Sequence, residues 1–154
     1  MKVFVETTWG EVLDERGRAT QDFLLVEDEK IEERKEGEAV TPKGRPFRQI
    51  PYDSAFRHFL DLETSAISKD VILEMPDGSY FLLKKGESVK IFEVKAHILR
   101  LLVNVGEEVL EDQKIARSLS LKGVERAVRS PFSGKIVYIT QVPEEPSRYI
   151  FVLK

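Results

Sequence analysis

Residues 114–137, KIARSLSLKGVERAVRSPFSGKIV, read as two strands joined by a tight turn that carries Lys122. An amine on an exposed turn is open to covalent modification. The plain alternative is a solvated lysine of the kind tight turns commonly display. A second stretch, KGRPFRQIPYDSAFRHF (43–59), interleaves Lys43, Arg45, Arg48 and Arg57 with Phe47, Tyr52, Phe56 and Phe59. Basic and aromatic side chains together suit an anionic ligand or a partner surface, which makes Arg45, Phe47, Arg48, Tyr52 and Arg57 candidate docking residues. The plain alternative is a linker whose aromatics cover a core and whose arginines pair with the chain's many glutamates. Metal chemistry is poorly served. The chain has only His58 and His97, with no cysteine, whereas a metal centre needs three or four converging ligands. With no nucleophile elbow and no glycine-rich phosphate loop, no catalytic or metal residue is expected, and the chain points away from an enzyme of its own.

Composition limits the partners. The 154 residues carry 24 basic and 27 acidic side chains, a net charge of −3. This argues against a dedicated nucleic-acid or anionic-membrane binder, since both want a positive surface. No stretch approaches the run of about 18 apolar residues that a membrane helix needs. The start, MKVFVETTWGEV, turns acidic too soon for a signal peptide, so a cytoplasmic location is expected. A single asparagine and four glutamines beside abundant Glu, Lys and Arg resemble the composition of proteins from hot environments.

The elements that must position these residues follow from pattern. KVFVE (2–6) and DFLLVED (22–28) read as strands, and the charge run 27–39 as a solvated turn or short exposed strand pair. TPKGRPFRQIPYD (41–53), with three prolines, reads as irregular and extended. Asp53 or Ser54 is placed to cap a helix over about 54–63, with Phe56, Phe59, Leu60 and Glu63 at i, i+3, i+4 and i+7. Residues 70–86 form a hairpin about Pro76-Asp77-Gly78. From 88 onward the chain is nearly all short strands. Within it LRLLVNVGEEVL (99–110) lies over IVYITQVPEEPS (136–147), aligning Leu99 with Ile136, Leu102 with Ile139 and Val105 with Val142. A repeat of this length predicts two similar units packed face to face.

Two motifs in this half, VNVGEEVLEDQKI (103–115) and SPFSGKI (130–136), resemble those of the biotinyl/lipoyl carrier family. Asp112 stands where that family has glycine. The whole chain also resembles small archaeal proteins of unknown function that join such a half to an N-terminal extension. The resemblance implies a mainly β, overall α+β protein. Residues 88–154 would be a flattened barrel of two half-repeats, a barrel-sandwich hybrid, and residues 1–87 an α+β extension. It also implies a lysine at a hairpin tip for biotin or lipoate. Counted forward from Ile115 that position is Lys122, and counted back from Gly134 it is Gly123, so this hairpin is longer by one residue. A three-residue loop, Leu121-Lys122-Gly123, with glycine in the left-handed region accommodates the extra residue. The flanks lack the methionines or the preceding acid of the carriers, so no covalent biotin or lipoate is expected at Lys122. The expected role is a non-enzymatic interaction or scaffold module, with a protein partner or self-association. The alternative is a carrier modified at Lys122 and serving a separate transferase or carboxylase.

Overall fold

The computed structural model describes all residues 1–154. The chain runs β1 (Val3–Glu6), α1 (Trp9–Val12), β2 (Phe23–Glu27), β3 (Lys30–Arg34), β4 (Arg45–Ile50), α2 (Phe56–Phe59), β5 (Leu60–Asp61), β6 (Ala66–Ile67), β7 (Val71–Glu74) and β8 (Tyr80–Leu83). It continues through β9 (Lys90–Ala96), β10 (Ile98–Leu101), β11 (Glu108–Val109), β12 (Lys114–Leu119), β13 (Glu125–Arg129), β14 (Gly134–Val142) and β15 (Ser147–Leu153). A six-stranded sheet has the order β3-β2-β4-β1-β7-β8, a four-stranded one β11-β14-β15-β9 and a three-stranded one β10-β12-β13. The molecule is mainly β, and its sheets curl into half-barrels.

Alternation along the strands sets which face is buried where. In β1, Val3 and Val5 join the largest apolar cluster while Phe4 turns to a second one. In β7, Val71 and Leu73 divide from Ile72 in the same way. The largest cluster also takes in Ile136 and Tyr138 of β14 and Ile150 to Leu153 of β15, so one core is shared by the six-stranded and four-stranded sheets. Alternation breaks in β14. A register shift between Ile136 and Tyr138 lets Ile136, Val137 and Tyr138 be buried in succession.

Two expectations are corrected. The helix predicted over 54–63 is a single turn, Phe56–Phe59, and Leu60 is already extended at φ −110°, ψ 135°. Neither Asp53 nor Ser54 caps it; the N-cap is Ala55, with no side-chain bond to the turn. One turn suffices to bury Phe56, Phe59 and Leu60 together, and Glu63 stays in solvent. The proline-rich stretch 41–53 is not irregular, since β4 pairs with both β1 and β2. Its proline fits because the ladder with β1 ends at Glu6↔Phe47. The Pro46 carbonyl accepts the Thr7 N–H just past that end, at 2.9 Å. The N–H that proline lacks would point the same way, outside both ladders. The hairpin about Gly78 forms as expected. Leu99 of β10 pairs with Ser118, and Ile136 of β14 pairs with Leu153. The two copies of the sequence repeat therefore each begin a strand that pairs with a later one at nearly the same separation.

Candidate functional site

The β12–β13 hairpin ends in the three-residue loop expected. Leu119↔Glu125 is the last ladder pair, and the Ser120 N–H then donates to the Val124 carbonyl at 3.0 Å. The Gly123 N–H donates to the Ser120 carbonyl at 3.0 Å, and Gly123 takes φ +79° with open space around it. The Ser120 hydroxyl accepts the Val124 N–H at 3.1 Å, which fixes the loop from inside. Lys122 is exposed at the tip, beside Leu121 at 80% exposure and Val124 at 50%.

Behind the tip lies an open cleft of about 650 Å³ between the hairpin, the end of β9 and the β14–β15 turn. Ser118 of β12 and Ser120 just past its end share its wall, and Arg126 is opposite Ser118 in the ladder. Lys95, Lys122 and Arg126 supply positive charge, Glu145 a single negative one, and His97 sits on the rim. None of the three cations takes part in an ion pair. His97 occupies the bend between β9 and β10, and His58 is an exposed residue of α2. The Ser118 hydroxyl points to the Arg126 carbonyl at 3.5 Å, and neither serine bonds His97. No three His, Asp or Glu side chains converge on a metal-sized space. The cleft can therefore hold an anionic group, but it presents no assembled nucleophile and base. Sequence reasoning singled out Lys122 and missed Lys95, Arg126 and Glu145, which only the pairing of distant strands assembles.

The basic and aromatic residues of 43–59 are not brought to one surface. Arg45 bridges Glu6 of β1 and Asp70 at the start of β7. Its guanidinium is also 5.4 Å from the Phe47 ring, which is itself fully buried. The bond to Glu6 holds the Arg45 pKa above its ordinary value. Burial would raise the Asp70 pKa, but the Lys85 N–H and Arg45 outweigh it and hold the carboxyl below the usual range. Arg48 is half-buried in mid-sheet. Tyr52 packs 4.9 Å from the ring of Tyr138, and burial pushes its hydroxyl up to about 12. Arg57 lies exposed over Phe56 at 5.5 Å. Tyr138 donates to the Tyr52 carbonyl at 2.5 Å and Thr140 to the Asp53 carbonyl at 2.7 Å, so this segment is tied down onto β14.

No helix is long and apolar enough to cross a membrane. Residues 2–154 match the family model described as "Uncharacterized protein conserved in archaea (DUF2118)". The chain is also 29% identical over 115 residues to a Methanocaldococcus jannaschii protein, "Uncharacterized protein MJ0859", covering 71% of this chain and 67% of that one. The chain belongs to that archaeal family.

Proposed function

We propose that this archaeal protein is a non-enzymatic interaction module. Its C-terminal half is an unmodified barrel of the biotinyl/lipoyl carrier type, and it receives an acidic, apolar segment of a protein partner at the hairpin tip and cleft. One observation carries the reading: exposed Leu121 and Val124 stand beside Lys95, Lys122 and Arg126, three cations with no ionic partner. An exposed leucine gains about 1.5–3 kcal/mol on full burial, and unpaired cations steer and hold carboxylates. The net charge of −3 disfavours long polyanions, while a local patch still suits a short acidic segment. Support for the carrier-type scaffold comes from Asp112, which takes φ +68° where the carrier motif has glycine.

Titration with a fluorescein-labelled Glu-Leu-Glu-Glu-Leu-Glu peptide tests the reading. Binding at low salt should weaken several-fold in Leu121→Ser and in Arg126→Glu. Absence of binding, or binding indifferent to both changes, would sink it. The second reading, a carrier bearing biotin or lipoate on Lys122, draws on the exposed amine at the tip. Intact mass of the protein from its native source decides between the two. The unmodified mass is expected, and an increment that Lys122→Arg abolishes would establish the carrier instead.

A further inference from the structure

The outer edge of β13 is open. β13 closes one side of the β10-β12-β13 sheet, with β12 on its inner side and no strand beyond it. Glu125, Arg126, Ala127 and Arg129 are exposed and Val128 is half-buried, and no hydrogen bond beyond the ladder engages a backbone group of Glu125, Ala127 or Arg129. Which backbone groups face outward follows from the bonds at the two ends of the strand. The Val124 carbonyl accepts from Ser120, and the Ser130 N–H donates to the Gln113 carbonyl at 2.9 Å, both toward the β12 side. Backbone groups alternate along a strand. The even positions therefore bond inward, and Glu125, Ala127 and Arg129 turn their N–H and C=O groups to solvent.

The order of side chains on this edge is self-complementary. Laid antiparallel on a second copy about Ala127, the strand Glu125-Arg126-Ala127-Val128-Arg129 puts Glu125 opposite Arg129 of the other copy, and Arg129 opposite the other Glu125. Arg126 then faces Val128, where its aliphatic stem covers the valine. Ala127 meets Ala127 on the two-fold axis with no bulk in the way. The three outward-facing residues on each strand are the ones this register needs, and each facing pair exchanges two backbone bonds, about six in all. Sliding the register by two residues in either direction keeps the backbone bonds possible but separates Glu125 from Arg129. Glu125 is held on this face by Arg117 at 3.2 Å. The Arg129 guanidinium gives one N–H to the Asp112 carbonyl at 2.9 Å and keeps the rest of its five free.

We infer that β13 pairs with β13 of a second copy of this chain, joining two three-stranded sheets into one six-stranded sheet across a two-fold axis. Such an interface is isologous, so each contact occurs twice. Built on one short strand from each copy, it belongs with the weak, reversible associations. The inference goes beyond the acidic-partner reading and stands on the edge alone. The peptide titration reads the cleft, and the following experiment reads the edge, so one can fail without the other.

Sedimentation equilibrium of the full chain, up to about 1 mM, should show the mass rising from 17.7 kDa toward twice that value with concentration. Arg129→Glu and Glu125→Arg should each weaken dimerisation about tenfold or more, by setting like charges opposite. The double variant Glu125→Arg/Arg129→Glu should recover to within about threefold of the parent. The Glu125→Arg single and the double both lose the Arg117 contact, so recovery reports the interchain pairs. Ala127→Pro, which deletes an outward N–H and no bond to β12, should leave a folded monomer by circular dichroism. Because the chain has no cysteine, Ala127→Cys offers a direct distance readout. A short bismaleimide should join two copies at this position, and should fail at Lys30→Cys on β3. A strict monomer at every concentration would overturn the proposal. So would a dimer indifferent to the single charge reversals, or one that the double variant does not restore.

Discussion

Thr140→Val probes how the segment between β4 and α2 is fastened to β14. Thr140 is 3% exposed, and its hydroxyl donates to the Asp53 carbonyl at 2.7 Å. Valine keeps the shape and deletes the donor. The Asp53 carbonyl makes no other hydrogen bond within the protein, so the change removes its sole internal partner, a loss of about 1–3 kcal/mol. Tyr138→Phe is the internal control. Its hydroxyl donates to the Tyr52 carbonyl at 2.5 Å, but that carbonyl also accepts the Ala55 N–H at 3.2 Å. The phenyl ring retains its edge contact with Phe59 at 5.3 Å. This variant should therefore lose only about 0.5–1.5 kcal/mol, an ordinary net hydrogen bond. In urea, with a slope of about 2 kcal/mol/M, a loss of about 2 kcal/mol lowers the Thr140→Val midpoint by about 1 M, and the Tyr138→Phe shift should be about half that. Both bonds hold the same short segment, so the double variant should lose less than the sum. An unchanged Thr140→Val midpoint, or a larger loss in Tyr138→Phe, would refute the assignment.

Burial holds the Tyr52 hydroxyl at about 12, above the ordinary value of 10.0. Between those values the unfolded chain gives up a proton that the folded one keeps. The contribution of Tyr52 to stability should thus be fully present below pH 10 and decline toward pH 12; urea midpoints across that range should fall less steeply in Tyr52→Phe. Asp70 has the opposite sense. Its carboxyl is held below 3.8, so its contribution is present above that pH and lost on further acidification. Arg45→Met should lower stability at pH 7 by about 1 kcal/mol and flatten the acid decline, as measured by thermal unfolding from pH 7 to 2. Gly44 and Gly123 both take positive φ, +84° and +79°, yet a Cβ on Gly44 would lie 2.6 Å from the Val26 carbonyl oxygen and one on Gly123 would meet nothing. Gly123→Ala should then lose about 1–2 kcal/mol from conformation alone. Gly44→Ala should lose clearly more, and equal losses would show that the backbone gives way at Gly44.

What the sequence made legible was local. The Leu121-Lys122-Gly123 loop followed from turn rules because its geometry is set within five residues, and its bonds match. The strands β1, β2, β14 and β15 announced themselves by apolar alternation or apolar runs. The helix at 54–63 was overextended because i, i+3, i+4 spacing is satisfied equally by one turn entering a strand, as Phe56, Phe59 and Leu60 do. β4 was missed because three prolines suggested an irregular, extended stretch. Pro46 is tolerated only because the ladder with β1 stops one residue short of it, and where a ladder stops depends on a strand forty residues away. The cleft was illegible for the same reason. Lys95, Arg126 and Glu145 approach one another through the pairing of β9 with β15 and β12 with β13, a relation no window of sequence contains.

Two other edge strands, β3 and β9, show by contrast what distinguishes β13. A strand left on the outside of a sheet is normally guarded by charge, and the guard works when like charges meet in the self-paired register. β3, one edge of the six-stranded sheet, centres on Glu32. Antiparallel pairing with itself would set Glu32 against Glu32 and Lys30 against Arg34. β9, one edge of the four-stranded sheet, centres on Glu93 and would set that carboxylate against itself. Both sequences repel a second copy. β13 carries three charges, one fewer than β3 and as many as β9, but a small neutral residue holds its centre and opposite signs hold its ends. Charge of the kind that closes β3 and β9 to a second copy therefore gives β13 a preferred partner and a single register.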